Sequence, residues 1–336
     1  MNIRILKPGL LATVQDLGRY GLQKFGVPVG GAMDAGAART ANLLVGNGEG
    51  EAVLELTLGG TELLLEEDGL LAICGADAAA EADGVPLPLW RPVIVRKGVK
   101  IKFGRCRSGC RSYVAVWGGL DVPERLGSRS TYLRGGFGGY EGRALKAGDT
   151  LRAKTAGKLS VSLMKSLPAI PDGSGFAAAG WHAAHFALAS HLEETVIRAM
   201  PGAHFPLLTE ESRTGLFGET FRIGIRSDRM GCRLEGAHKL QLRQPLELLS
   251  EAVAAGTVQL PPDGNPIVLL ADRQTTGGYP RIAHVASVDI PVFAQLKPGD
   301  RFRFEAVTQQ EAERLYFASE RDLQLLKAAV LLKGRT

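Results

Sequence analysis

Several short words in this chain recur, in the same order, in its second half, and that repetition limits the folds it can take. Ile3-Arg4 followed by Pro8-Gly9 is echoed by Ile197-Arg198 followed by Pro201-Gly202. Leu54-Glu55-Leu56, Gly60-Thr61, Asp68-Gly69 and the run from Ile73 to Asp77 are echoed by Leu246-Glu247-Leu248, Gly256-Thr257, Asp263-Gly264 and the run from Ile267 to Asp272. Leu120-Asp121-Val122-Pro123 has its counterpart in Val288-Asp289-Ile290-Pro291, and Leu145 to Asp149 in Leu296 to Asp300. The spacing between copies shrinks after Asp77, so the first copy carries insertions there. Two similar domains, with functional residues drawn from both and a cleft between them, are the expectation.

The text inside each copy is β-like. Leu63-Leu64-Leu65, Leu70 to Ile73, Val93-Ile94-Val95, Tyr113 to Trp117 and Ile267 to Leu270 are short apolar runs separated by Gly, Pro and Asp, the pattern of a sandwich or barrel. Two helices stand out. Asp34 is placed to cap a small-residue helix with Ala37, Ala38, Ala41, Leu44 and Val45 on one face, stopped by Gly46-Asn47-Gly48. Thr308 and Glu311 form a capping box that opens a C-terminal helix. The expected domains are therefore a first β-barrel at 1–155, a linker at 156–192, a second β-barrel at 193–306 and a C-terminal helix at 307–336. The linker is marked by Pro168, Pro171, Gly173, Ser174 and Gly175, and holds His182, His185 and His191. No carboxylate or Cys stands in register with these histidines, so no metal site is expected.

Composition excludes some function classes. Lys plus Arg is 40 against 35 for Asp plus Glu, a net charge of +5 spread along the chain, and the basic cluster from Arg105 to Arg111 lacks interleaved aromatics. A solvated hairpin end is expected there rather than a nucleic-acid surface. Cys74, Cys106, Cys110 and Cys232 stand at no zinc or redox spacing. No apolar run is long enough to span a bilayer, and the N-terminus lacks the layout of a signal peptide. A cytoplasmic protein with reduced thiols and no membrane partner is expected.

Polar residues concentrate in three places. Ala271-Asp272-Arg273-Gln274-Thr275-Thr276-Gly277-Gly278-Tyr279-Pro280-Arg281 follows a buried strand and packs proton-relaying and anion-binding side chains around a Gly-Gly pair. Asp228-Arg229 stands in a second dense stretch, Ser227 to Gly236. The third lies in the first copy, where Gln15, Asp16 and Arg19 enter a loop and a long glycine-rich excursion from Ser128 to Tyr140 carries Arg129, Tyr132 and Arg134. That excursion matches neither standard phosphate-loop pattern. The first copy keeps Asp77 but has Ala78 where the second has Arg273, so the Arg-Gln-Thr-Thr content is not demanded by the repeat. Asp228, Arg229, Asp272 and Arg273 are the candidate catalytic residues. Gln15, Asp16, Arg19, Arg129, Tyr132, Arg134, Gln274, Thr275, Thr276, Tyr279 and Arg281 are the candidate substrate- or phosphate-binding residues.

Thr13 to Arg19, Gly31-Ala32-Met33-Asp34, Ser130 to Gly139, Ser227 to Gly231 and Ala271 to Arg281 together resemble the biotin-dependent carboxyltransferase family. It is also called the allophanate hydrolase subunit 2 or KipA family, and includes the C subunit of 5-oxoprolinase. The resemblance runs from about residue 3 to about residue 305 and implies tandem cyclophilin-like β-barrels. Cys232 departs from it, standing where the family usually has Tyr, which would remove an aromatic wall or hydroxyl near the site. The resemblance implies a subunit-1 companion (KipI-like, the B subunit of 5-oxoprolinase) and a LamB/YcsF-like A subunit. It favours ATP-dependent opening of 5-oxo-L-proline to L-glutamate, with ATP, accompanied by Mg, used at the level of the whole complex. Carboxyl transfer from biotin on a partner protein is the alternative, since this chain has neither an ATP-grasp region nor a Met-Lys-Met biotinyl site. KipA-like regulation of a sensor-kinase inhibitor is another.

Overall fold

A computed structural model describes residues 1–184 and 195–335. The protein is mainly β, with five α-helices among the described residues, and it divides into two compact units. The first gathers Met1–Arg19, the chain from Asp34 to residue 184, and the chain end from Arg321. The second gathers Tyr20–Met33 and the chain from residue 195 to Glu320.

In the first unit the strands form two six-stranded sheets. One runs Thr150–Arg152, Asn2–Pro8, Thr61–Leu65, Lys100–Lys102, Glu81–Ala82, Val85–Pro86; the other runs Phe176–Ala178, Val93–Val95, Gly69–Asp77, Ser108–Val116, Val53–Thr57, Leu11–Gln15. Alternating residues such as Ile3 and Ile5, Leu63 and Leu65, and Val93 and Val95 put one apolar face of each strand into a shared core with Leu54, Ile73, Ile101, Phe103 and Val114. Helix α1 (Ala35–Leu44) lies against this unit. Its N-cap is Asp34, whose Oδ1 accepts from the Ala37 N–H at 2.8 Å, and Ala37, Ala38, Ala41 and Leu44 are buried as their spacing predicts. The stretch expected as a linker is more ordered than its Pro and Gly content suggests. It carries helix α2 (Lys158–Ser166) and the strand Phe176–Ala178, which pairs with Val93–Val95. His185 and His191 lie outside the described residues.

In the second unit seven strands close into a barrel, in the order Thr195–Pro201, Arg281–Val285, Thr257–Gln259, Ile267–Leu269, Gly231–Glu235, Thr220–Ile223, Arg301–Ala306. A parallel pairing of Thr195–Pro201 with Arg301–Ala306 makes the closure. Phe221, Phe293, Phe302 and Phe304 fill the interior with tilted and edge-on contacts. Met33, from the early segment, belongs to the same core. So does Cys232, paired with Val268 in the barrel wall; the residue that departs from the family pattern packs in the barrel interior. Helices α3 (Glu210–Gly218) and α4 (Ile290–Ala294) complete the unit.

Helix α5 (Gln309–Lys333) starts where its capping box predicts. The Glu311 N–H donates to Thr308 Oγ1 at 3.2 Å, and the Thr308 N–H donates to Glu311 Oε2 at 2.8 Å. Thr308→Ala removes the side-chain acceptor and is expected to cost about 1 kcal/mol, read as a lower urea midpoint with faster amide exchange in the first turn of the helix.

Candidate functional site

The second-unit cluster is built at the ends of two neighbouring strands. The strand Ile267–Leu269 ends and the chain turns, with the Asp272 N–H donating to the Arg229 carbonyl at 2.9 Å. This brings Asp272 and Arg229 together, although each stands in the sequence beside a different partner. Arg229 Nε donates to Asp272 Oδ2 at 2.8 Å and its Nη2 to Asp272 Oδ1 at 3.0 Å. The same Nη2 donates to the Gly31 carbonyl at 2.6 Å. Both side chains are buried, at 7% and 6% exposure. The fork of Arg and the carboxylate are thus matched in full, and the pair ties the 20–33 segment, the 227–231 turn and the 271–281 loop into one rigid base.

Asp228, by contrast, closes its own turn. Its Oδ1 accepts from the Met230 N–H at 2.8 Å and the Gly231 N–H at 3.2 Å, an Asx-type arrangement. Arg281 pairs with Glu251. Thr276–Gly277 pairs with Glu251–Ala252 as a two-stranded ribbon. Thr275 gives its carbonyl to the Val253 N–H at 3.1 Å. Gly277 is required by proximity, because a Cβ there would collide with the Gln259 amide and approach Gln274 Nε2. Tyr279 stands exposed over a groove of about 780 Å³ lined by Leu242, Pro245, Leu246, Leu248, Pro262 and Gly278, among others.

Arg273, in the same loop, is paired with no carboxylate among the described residues. Its Nε reaches the Val253 carbonyl at 3.5 Å and its Nη1 the Leu270 carbonyl at 3.3 Å, both long. Burial pushes its pKa below the ordinary arginine value. Three residues beside it carry no signal in the sequence pattern. Thr257, Gln259 and His284 lie on barrel strands whose apolar alternation masks a polar wall, and Thr257 and Gln259 are buried. His284 Nδ1 lies 3.5 Å from Thr257 Oγ1. Its pKa is lowered, first by burial and then by the Arg273 charge.

The first-unit cluster is a braced loop. Asp16 Oδ1 accepts from Ser128 Oγ at 2.6 Å, Ser130 Oγ at 2.5 Å and the Gly18 N–H at 2.8 Å, while Oδ2 accepts from the Arg129 N–H at 2.6 Å. Gln15 Nε2 donates to Thr13 Oγ1 at 3.0 Å and to the Thr131 carbonyl at 3.4 Å. Arg19 is fully buried, donates to the Ser130 carbonyl and lies 4.9 Å over the Phe137 ring. Tyr132 packs edge-on to the same ring. Gly138 and Gly139 take positive φ, and a side chain on either would collide with Ser130 or Thr131. Arg129 pairs with Glu124 at 3.4 Å, and Arg134 is exposed at the tip of the loop. Ser128 and Ser130, which do most of the bracing, are legible in the sequence only as part of a polar excursion.

No group of His, Cys, Asp or Glu suited to a metal ion occurs among the described residues, and no described helix is long and apolar enough to cross a membrane.

The barrel that carries this loop is joined in one chain to a unit of two sheets. The chain belongs to the family described as carboxyltransferase domain, subdomain A and B, whose model matches residues 25–306. It is 38% identical over 328 residues to the C subunit of 5-oxoprolinase from Haemophilus influenzae, covering 98% of each chain. It is 36% identical over 310 residues to the Escherichia coli protein of the same name, covering 92% of this chain and 93% of that one. The crystal structure of Kluyveromyces lactis urea amidolyase superposes with a TM-score of 0.82 at 29% identity, over 97% of this chain but 20% of that one.

Proposed function

We propose that this protein is the C subunit of an ATP-dependent 5-oxoprolinase, acting with an A subunit of LamB/YcsF type and a KipI-like B subunit to open 5-oxo-L-proline to L-glutamate. The observation that carries the proposal is the end-to-end match to two proteins named as the C subunit of 5-oxoprolinase. The match to urea amidolyase occupies only a fifth of a much longer chain. The site chemistry is compatible. A lactam is a poor electrophile; phosphorylation of its oxygen by ATP, with release of ADP, would open the ring carbon to attack by water, C–N cleavage would then leave an acyl phosphate, and a second water would release phosphate and glutamate. Such a step needs cations for the oxyanions that develop and a rigid frame to hold them. Arg229–Asp272 supplies the frame and Arg273 an available cation. Asp228 and Asp16, with two and four hydrogen bonds on their carboxylates, serve the loops that carry the cations.

Carboxyl transfer from biotin on a partner is the second reading, favoured by the 0.82 TM-score to urea amidolyase. Under it, Arg273 would hold a carboxylate beside backbone N–H groups of the Gly277-Gly278 loop. The two readings separate in one assay. The chain, co-expressed with its A and B partners, is expected to release glutamate from 5-oxo-L-proline only when ATP is present, and avidin is expected to leave the rate unchanged. A well-formed complex that releases no glutamate sinks the first reading; avidin inhibition supports the second.

A further inference from the structure

We infer that Arg273, His284 and Thr257 form a carboxylate-binding subsite on the wall of the second-unit barrel, taking the α-carboxylate of a small amino acid or its lactam. The inference deepens the proposed function and rests on it for the identity of the substrate, 5-oxo-L-proline. The subsite itself rests on the hydrogen-bond geometry of Arg273, Thr257 and His284, with the charge state of His284 set by burial and by Arg273.

Three arginines of the candidate site lie in the second unit, and two are already neutralised. Arg229 is spent on Asp272 and Arg281 on Glu251. Arg273 is half-buried, has no ion pair among the described residues, and donates to two backbone carbonyls at 3.3 and 3.5 Å, with Tyr20 near enough to act on its charge. A guanidinium taken out of water without a counter-charge is costly, and such a cost persists at a site that a ligand completes. The 253–257 turn links Arg273 to the second group. Arg273 leans on the Val253 carbonyl, the Ala254 N–H donates to Thr257 Oγ1 at 3.2 Å, and Thr257 Oγ1 lies 3.5 Å from His284 Nδ1. Arg273 is near enough for its charge to hold the His284 imidazole neutral, in addition to the effect of burial. The three side chains therefore offer one fixed positive charge, one neutral ring N–H and one hydroxyl.

That charge count selects the ligand. A single guanidinium beside a neutral imidazole matches a monoanion of fork geometry, which is a carboxylate. A phosphate, carrying nearly two charges at neutral pH, would call for a second cation, and the other two arginines of the candidate site in this unit are paired with carboxylates. The subsite would hold the non-reacting carboxylate of the substrate and so fix the position of the ring.

Thermal unfolding of the full chain tests this without any partner. 5-Oxo-L-proline and L-glutamate are each expected to raise the Tm of the wild-type chain, with inorganic phosphate raising it less. Arg273→Met, which removes the uncompensated charge but keeps a long side chain, is expected to melt about 2 °C above wild type without ligand and to lose the carboxylate response. His284→Asn is expected to weaken that response at least threefold. In the complex with A and B subunits, Arg273→Met should raise KM for 5-oxo-L-proline about tenfold and leave KM for ATP unchanged. No carboxylate response in wild type, an equal response to phosphate, an undiminished response in Arg273→Met, or a shift in KM for ATP alone each overturns the inference. A complex without 5-oxoprolinase activity, in a chain that still binds carboxylates through Arg273, defeats the proposed function and leaves the subsite standing.

Discussion

Asp272→Ala is expected to destabilise the second unit by about 3–5 kcal/mol, because it leaves the Arg229 guanidinium buried without its counter-charge. The measurement is the urea midpoint of that unit's transition, followed by hydrogen exchange of the barrel-strand amides, because Trp90, Trp117 and Trp181 all lie in the first unit. Arg229→Met alone should be damaging for the mirror reason, leaving a buried carboxylate. The double variant Arg229→Met/Asp272→Leu replaces both charges by apolar groups of similar bulk and should recover most of the loss, as buried ion pairs exchanged whole commonly do. Recovery of stability without recovery of activity would show that the pair serves the site as an orienting device: Gly31, Arg229 and Asp272 then hold the loop in the geometry that presents Arg273. Near-wild-type stability in Asp272→Ala would sink the claim that this pair is the base of the loop.

Asp16→Asn is expected to be almost as costly in the first unit, by about 3 kcal/mol. The carboxylate is an acceptor at both oxygens, for three donors at Oδ1 and one at Oδ2. An amide must turn an N–H₂ toward one of those donors, so at least one charge-assisted bond becomes a donor facing a donor. Amide exchange over residues 128–140 reads the consequence, and protection there should fall well before the core strands of the unit lose theirs. Loss confined to the 16–19 turn, with 128–140 unaffected, would show that the glycine-rich excursion is held by its own packing.

Much of the architecture is written locally and is legible in the chain. Asp34 and the Thr308–Glu311 box mark helix starts because their partners lie within three residues, and the short apolar runs mark strands because alternation is a property of neighbours. The polar loops are legible as dense stretches for the same reason. What is hidden depends on distant pairing. Asp272 stands next to Arg273 in sequence but bonds Arg229, 43 positions away, so adjacency suggests the wrong couple. Asp16 taken alone reads as a ligand-binding carboxylate, yet Ser128 and Ser130, more than a hundred residues downstream, saturate it. His284 and Thr257 face a common wall only because the strands Thr257–Gln259 and Arg281–Val285 are neighbours in the barrel. Helix α2 and the strand Phe176–Ala178 are obscured by flanking Pro and Gly, whose propensities are overruled by a sheet edge waiting to be paired.

Neither unit is a continuous piece of chain. Tyr20–Met33 is made early yet completes the second unit, and α5 begins in the second unit and ends in the first. During synthesis, Gly31 emerges long before Arg229 exists to bond its carbonyl, and the first unit lacks one of its segments until α5 has been made. Each half therefore has to wait for residues encoded on the far side of the other, so neither is complete until α5 has been made. A cut at the 156–192 segment would yield one fragment without the end of α5 and another without Met33 of its own core, and complementation would succeed only when both fragments are supplied together.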